Sequence, residues 1–76
     1  MEKFVVIPRA GREIGWELGG CMACLANAGI RDYTARLDRL ILFWVADHVS
    51  ASALKALVDG GFNVVSGLGA HAPDSA

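Results

Sequence analysis

The residues best suited to chemistry are two cysteines, Cys21 and Cys24, in the stretch GREIGWELGGCMACLANAG. A CxxC pair supports disulfide exchange when its first thiolate lies at a helix N-terminus, where the helix dipole lowers the thiol pKa. The same pair binds zinc when two further ligands complete a tetrahedron. Here both cysteines fall well inside a predicted helix, and the only other soft ligands are two histidines. We therefore predict that both cysteines are core residues, with metal binding as the weaker alternative.

Two arginines and a histidine form the second candidate group. Arg9 and Arg12 precede the first predicted helix, and His48 precedes the second. We expect both helices to begin at the same end of the sheet. Helix N-termini together with arginines bind anions, so Arg9, Arg12 and His48 are predicted to form an anion or ligand site there. No nucleophile, base and orienting group share a recognisable pattern. The sequence therefore predicts no enzymatic activity and no cofactor.

The composition limits the remaining classes of function. Seven basic and eight acidic residues give a net charge of −1, which leaves no electrostatic footprint for nucleic acid. No apolar run approaches the roughly 20 residues that span a bilayer, and no secretory signal is visible, so a cytoplasmic protein without membrane contact is predicted. The hydrophobic fraction of 54% is high for so short a chain. An apolar excess of this kind favours a protein partner or a homodimer.

Hydrophobic periodicity predicts the elements that position these residues. KFVVIP is predicted to be a strand, and the helix that follows carries an apolar stripe and ends at Gly29. IRDYTARL and LILFWVA are predicted to form a hairpin that turns at Asp38 and Arg39. Ser50 is the expected N-cap of a second helix, and FNVVS the last strand. The predicted stripe of the first helix consists of Ile14, Leu18, Cys21, Met22 and Leu25.

The order of these elements, β-α-β-β-α-β, is typical of the ferredoxin-like fold. We predict an α+β domain over residues 1–66, a four-stranded antiparallel sheet with both helices on one face, and a flexible C-terminal tail over residues 67–76. The third strand is apolar on both sides. Either the row with Phe43 or the row with Trp44 must therefore face away from the helices, and we expect that open face to be covered by a partner, a second copy or the tail.

The second half of the chain, VADHVSASALKALVDGGFNVV, resembles the end of a heavy-metal-associated domain, in which GY or GF and a last strand follow a short helix. That family carries its CxxC in a GMxCxxC loop before the first helix. This chain has GGCMAC within the helix instead. The resemblance therefore implies the ferredoxin-like fold and not copper binding.

The face of the first helix opposite its apolar stripe predicts a contact surface. Trp16 is followed at helical spacing by Gly20, Ala23 and Asn27. Small residues let another backbone approach, and tryptophan is a favoured interface anchor. The alternative is that Trp16 folds back over the loop or the helix edge. Together with the third strand, the predicted partner-binding residues are Trp16, Gly20, Ala23, Asn27, Phe43 and Trp44.

These observations favour a small non-enzymatic protein-binding module, an inhibitor or regulator that occupies a surface of a larger complex. In size and in lacking an active site, the chain is similar to phage and mobile-element inhibitors such as anti-CRISPR proteins, which implies a host nucleoprotein complex as partner. The first alternative is a ferredoxin-like domain that binds a small ligand or metal ion. A homodimeric enzyme with its site at the dimer interface ranks third.

Overall fold

A computed structural model of the chain describes residues 1–66 and 69–71, with side chains described through residue 66. Its elements in chain order are β1 (Glu2–Ile7), α1 (Ile14–Asn27), β2 (Tyr33–Leu37), β3 (Ile41–Val45), a 3-10 turn (Asp47–Val49), α2 (Ser50–Asp59), β4 (Asn63–Ser66) and β5 (Gly69–His71). Within the described residues no helix has the length and apolar character needed to cross a membrane.

The strands form one sheet in the order β2-β3-β1-β4-β5, and every neighbouring pair is antiparallel. The first four strands and the two helices follow the β-α-β-β-α-β order, so the predicted ferredoxin-like α+β fold is confirmed. The sequence did not predict β5, which pairs with β4 and lies within the predicted tail. The other residues of that tail, 67, 68 and 72–76, lie outside the described residues.

Alternate residues of the central strands form the core beneath the helices. Phe4 lies opposite Phe43, and Val6 lies opposite both Ile41 and Val64. All of these side chains are at most 2% exposed. The row of β3 that contains Phe43 therefore packs against the helices. Phe43 was predicted to bind a partner, and that prediction is wrong because its side chain is fully buried.

Helix α1 contacts the core through a narrower stripe than its hydrophobic residues predict. Cys21 and Leu25 are fully buried, whereas Met22 is 43% exposed. The position one turn before Cys21 is Glu17, which is only 1% exposed. The predicted stripe is therefore wrong at Met22, and it omits Glu17, whose carboxylate is buried.

Both helices end in the same way. Gly29 and Gly61 have φ values of +79° and +91°, which other residues rarely adopt. The next residue, Ile30 or Phe62, donates its N–H to the carbonyl of the residue five positions earlier, at 2.9 and 3.1 Å. This is the Schellman arrangement. Ile30 and Phe62 are both buried, so each helix end also directs an apolar side chain into the core.

The start of α2 differs from the expectation that Ser50 is its N-cap. The Ser50 hydroxyl donates to the carbonyl oxygen of Asp47 at 2.9 Å. The Ser50 backbone N–H bonds the same carbonyl at the end of the 3-10 turn, and Val49 occupies the N-cap position of α2 without a side-chain hydrogen bond. The short turn between β3 and α2 thus replaces the predicted serine cap.

Candidate functional site

The open face of the sheet is defined here as the outward positions of β1–β4, opposite the helices. An apolar row crosses three of these strands, because Val5 lies directly opposite Leu42 on one side and Val65 on the other. Neighbouring strands lie about 4.8 Å apart, so these side chains are direct neighbours along the row. The outward positions are Lys3, Val5, Ile7, Thr34, Arg36, Leu42, Trp44, Asn63 and Val65.

Trp44 is the largest side chain on the open face. Its direct neighbours across the strands are Lys3 in β1 and Thr34 in β2. It borders a shallow depression that Met1 and Arg36 also line. Trp44 is only partly exposed. A partly buried tryptophan beside apolar side chains is typical of the residues at the centre of a protein–protein interface.

The charges on the open face have one sign. Lys3 and Arg36 are exposed, and neither forms an ion pair with any described residue. None of the outward positions of β1–β4 is acidic. Met1, which lines the depression beside Trp44, has its amino terminus 3.3 Å from Oδ1 of Asp47. The open face is therefore apolar and locally cationic, although the whole chain is slightly acidic.

The predicted contact surface on α1 is only partly present. Trp16 is 78% exposed, and Ala23 and Asn27 are exposed on the same side of the helix. Gly20 differs, because a Cβ at this position would lie 2.9 Å from Cζ of Phe62. Gly20 therefore allows α1 to pack closely on Phe62. It is also partly exposed and lines a depression beside Trp16, so its contact with a partner stays a prediction. Trp16 is left beside small and polar neighbours without an apolar row.

The arginine and histidine group predicted as an anion site is split by the sheet. Strands β1 and β3 are antiparallel, and Glu2 lies opposite Val45. The segments that follow the two strands therefore leave from opposite ends of the sheet. Arg9 and Arg12 lie at one end. His48 lies at the other, beside the loop of residues 29–32 that follows α1, so the expectation of a shared site at the two helix N-termini is wrong.

Arg9 forms an internal ion pair with Glu17 that was not predicted from the sequence. Its Nη2 lies 3.0 Å from Oε1 of Glu17, and its Nε donates to Oε2 at 3.0 Å. The guanidinium also stacks on Phe62, 4.6 Å from the ring centroid. These hydrogen bonds from Arg9 hold the pKa of the Glu17 carboxyl below its usual value, against the opposing effect of burial. The signal in the sequence was the four-residue spacing of Glu17, Cys21 and Leu25, which places the carboxylate on the buried stripe.

The cysteines have the environment of core residues. Burial, with smaller contributions from the neighbouring Cys24 and Glu17, raises the pKa of the Cys21 thiol to about 12. Cys24 is partly buried against the end of α2, since a Cβ at Gly60 would lie 2.5 Å from its Sγ. No cluster of three or more histidine, cysteine or acidic side chains suited to a metal ion occurs among the described residues. Cys21 therefore offers a protonated thiol and not a thiolate.

A second concave surface, with a volume of about 400 Å³, lies between α2 and the first half of β1. Phe4, Leu54 and Val58 form its apolar part. Lys55 and Asp59 at its rim are paired with each other at 2.7 Å, and both are well exposed. Small-molecule sites combine an apolar wall with convergent polar groups. Here the charged groups on α2 are turned toward each other, so the groove is a poorer candidate than the open face.

Comparison with known protein families, curated proteins and solved structures finds no match to this chain.

Proposed function

We propose that the protein is a non-enzymatic binding module that acts by docking its open face onto a larger protein. The observation that carries the proposal is the continuous row Leu42–Val5–Val65 beside Trp44. A sheet that carries helices on one face usually has a polar opposite face. An apolar row on the solvent side is better explained by a partner that removes it from water.

The energy available on this face is sufficient for specific binding. Complete burial of one aliphatic side chain is worth about 1.5–3 kcal/mol, and truncation of a central tryptophan commonly costs 2 kcal/mol or more of binding energy. A standard interface covers about 800 Å² of each partner, so contacts around the row must contribute as well. The candidates for these additional contacts are Lys3, Thr34 and Arg36, which are the cross-strand neighbours of Trp44 and Leu42.

Binding is favoured over catalysis by the state of the reactive side chains. Arg9 is held by Glu17, the Cys21 thiol is protonated and buried, and His48 lies at the opposite end of the sheet from Arg9. A catalytic site needs such groups to converge on one reacting atom. In this chain the reactive side chains lie apart from one another. The apolar open face is therefore a better candidate for the functional surface than any group of them.

The biological role that follows from docking alone is inhibition or regulation by occupancy. A small chain without a catalytic group alters a larger assembly by covering a surface that the assembly needs. We propose a cytoplasmic role of this kind, with a host nucleoprotein complex as the leading partner, in keeping with the anti-CRISPR-like size of the chain.

The test compares two variants that introduce the same charge on opposite sides of the molecule. Tagged wild-type protein, Leu42→Glu and Ala23→Glu are incubated with a lysate of the proposed host cell, and the captured proteins are identified by mass spectrometry. Because Leu42 lies on the open face and Ala23 on the outer side of α1, we expect Leu42→Glu to lose the captured partner and Ala23→Glu to keep it.

Circular dichroism and thermal unfolding of each variant check that the fold is retained. Trp44→Ala provides a second open-face variant, with an expected loss of affinity of about thirtyfold or more. Loss of capture with Ala23→Glu or Trp16→Ala, and retention with both open-face variants, would assign binding to α1 and contradict the proposal.

A further inference from the structure

We propose that the occupant of the open face is an acidic protein segment in which carboxylates flank aliphatic side chains. This inference rests on the proposed function and specifies the partner's chemistry. It is carried by the placement of Lys3 and Arg36, whose cross-strand neighbours are Trp44 and Leu42.

The two cations are arranged around the apolar residues of β3. Lys3 lies directly opposite Trp44 on the β1 side, and Arg36 lies directly opposite Leu42 on the β2 side. Long basic side chains extend their aliphatic stems along apolar neighbours and keep the charged group at the edge. A partner that covers Trp44 and Leu42 therefore meets one positive charge on each side of β3.

Lys3 and Arg36 have no acidic partner among the outward positions of β1–β4. An exposed sheet face can place opposite charges directly across from each other, and such pairs stabilise the sheet. Here the cross-strand partners of both cations are apolar, and no outward position of β1–β4 is acidic. A partner without carboxylates would partly desolvate two unpaired charges, and a basic partner would be repelled. Electrostatic complementarity therefore selects an acidic segment.

The same observations disfavour two other occupants. A second copy docked through the same face would bring Lys3 and Arg36 against a surface that has no outward carboxylate. A single-stranded nucleic acid would supply negative charge, but proteins that bind it stack successive bases on several aromatic rings. Trp44 is the only aromatic residue among the outward positions of β1–β4, and the row beside it is aliphatic.

The inference is tested with two synthetic amphipathic peptides that share the same leucine positions. One carries glutamate at its polar positions and the other lysine. Trp16→Phe leaves Trp44 as the only tryptophan of the protein, so titration can be followed by Trp44 fluorescence. We expect the glutamate peptide to bind at least tenfold more tightly than the lysine peptide. This preference should weaken as salt is raised, because screening reduces the attraction between charges.

Charge reversal supplies the matched comparison. In the same background, Arg36→Glu should remove the preference for the glutamate peptide, whereas Arg31→Glu should preserve it, because Arg31 is exposed in the loop after α1 and not on the open face. Equal binding of the two peptides, binding of neither, or an unchanged preference in Arg36→Glu would overturn the inference.

Two further measurements separate the other occupants. The inference of an acidic partner would also be overturned by tight binding of an oligothymidine strand. It would likewise be overturned by concentration-dependent dimerisation, measured by sedimentation, that Leu42→Glu abolishes. Failure here differs from failure of the proposed function. If the peptides show no charge preference while Leu42→Glu still abolishes capture from lysate, the open face binds a protein whose chemistry is not acidic.

Discussion

Arg9 and Glu17 form a two-bond ion pair that joins the β1–α1 connection to the buried side of α1. The carboxylate side chain is 1% exposed, and the guanidinium, 33% exposed, lies on the ring of Phe62. The Arg9 backbone N–H also points to Oε2 of Glu17 at 3.4 Å. The ion pair thus connects the loop after β1 to the first half of α1, and through Arg9 it also contacts Phe62, the residue that precedes β4. It is the main polar contact of the described core.

The first prediction concerns the contribution of this pair to stability. Glu17→Gln keeps the shape of the side chain but replaces charge-assisted hydrogen bonds with weaker ones, so we expect the free energy of unfolding to fall by about 1–3 kcal/mol. Glu13→Gln is the matched control, because Glu13 is exposed at the N-cap position and makes no side-chain cap bond. Urea unfolding at neutral pH measures both. Equal stability of the two variants would show that the pair contributes nothing net.

The second prediction is the pH dependence of that difference. The folded protein holds the pKa of Glu17 below its ordinary value of 4.5, so the unfolded chain takes up the proton more readily. The stabilisation is complete above about pH 4.5 and is lost as the pH falls through the lower, folded-state pKa. The stability gap between wild type and Glu17→Gln should therefore be constant near neutrality and close in acid. A gap that widens in acid would contradict the direction of the shift.

The third prediction is that the two cysteines differ in reactivity. Because the pKa of Cys21 is raised to about 12 by burial, its thiol stays protonated at neutral pH, and the side chain is 0% exposed. In Cys24→Ala, a thiol reagent should therefore react only as fast as the protein opens. In Cys21→Ala the remaining Cys24, which is partly exposed, should react in the native state. Rapid native labelling of Cys21 in Cys24→Ala would contradict the core assignment.

Much of the fold follows from local sequence signals. The stretch KFVVIP predicts the strand that the structure has at Glu2–Ile7, and Gly29 marks the end of α1 because the backbone there requires a positive φ. These features depend on periodicity and on glycine, both of which act over a few residues. Strand β5 is too short, and too poor in apolar alternation, to be recognised in the same way.

The features that the sequence did not predict depend on long-range contacts. Both rows of β3 are apolar, so only the packing of the helices decides that Phe43 is buried and Trp44 lies on the open face. Glu17 has the charge of a surface residue, and its partner Arg9 lies eight positions away in a loop. The separation of Arg9 and His48 could have been predicted from the sequence. The first and third strands of the predicted fold are antiparallel, so the segments that follow them begin at opposite ends of the sheet.

The last prediction uses two adjacent glycines in the middle of α1. Replacing an interior helix glycine with alanine stabilises a helix by roughly 0.5–1 kcal/mol when the site is open. Nothing lies within 4 Å of a Cβ built at Gly19, whereas one at Gly20 would lie 2.9 Å from Cζ of Phe62. Phe62 is 3% exposed and covered by Arg9, so it cannot move without disturbing the ion pair with Glu17. We therefore expect Gly19→Ala to raise the unfolding midpoint.

Gly20→Ala gains the same helix propensity but also incurs the cost of overpacking, typically about 1–3 kcal/mol. It should therefore be less stable than Gly19→Ala by at least about 1 kcal/mol, and double substitution with Phe62→Leu should reduce that difference because the contacting Cζ atom is removed. Thermal and urea unfolding of the single and double variants measure the coupling. If Gly20→Ala is as stable as Gly19→Ala, then α1 does not pack tightly on Phe62 at this position.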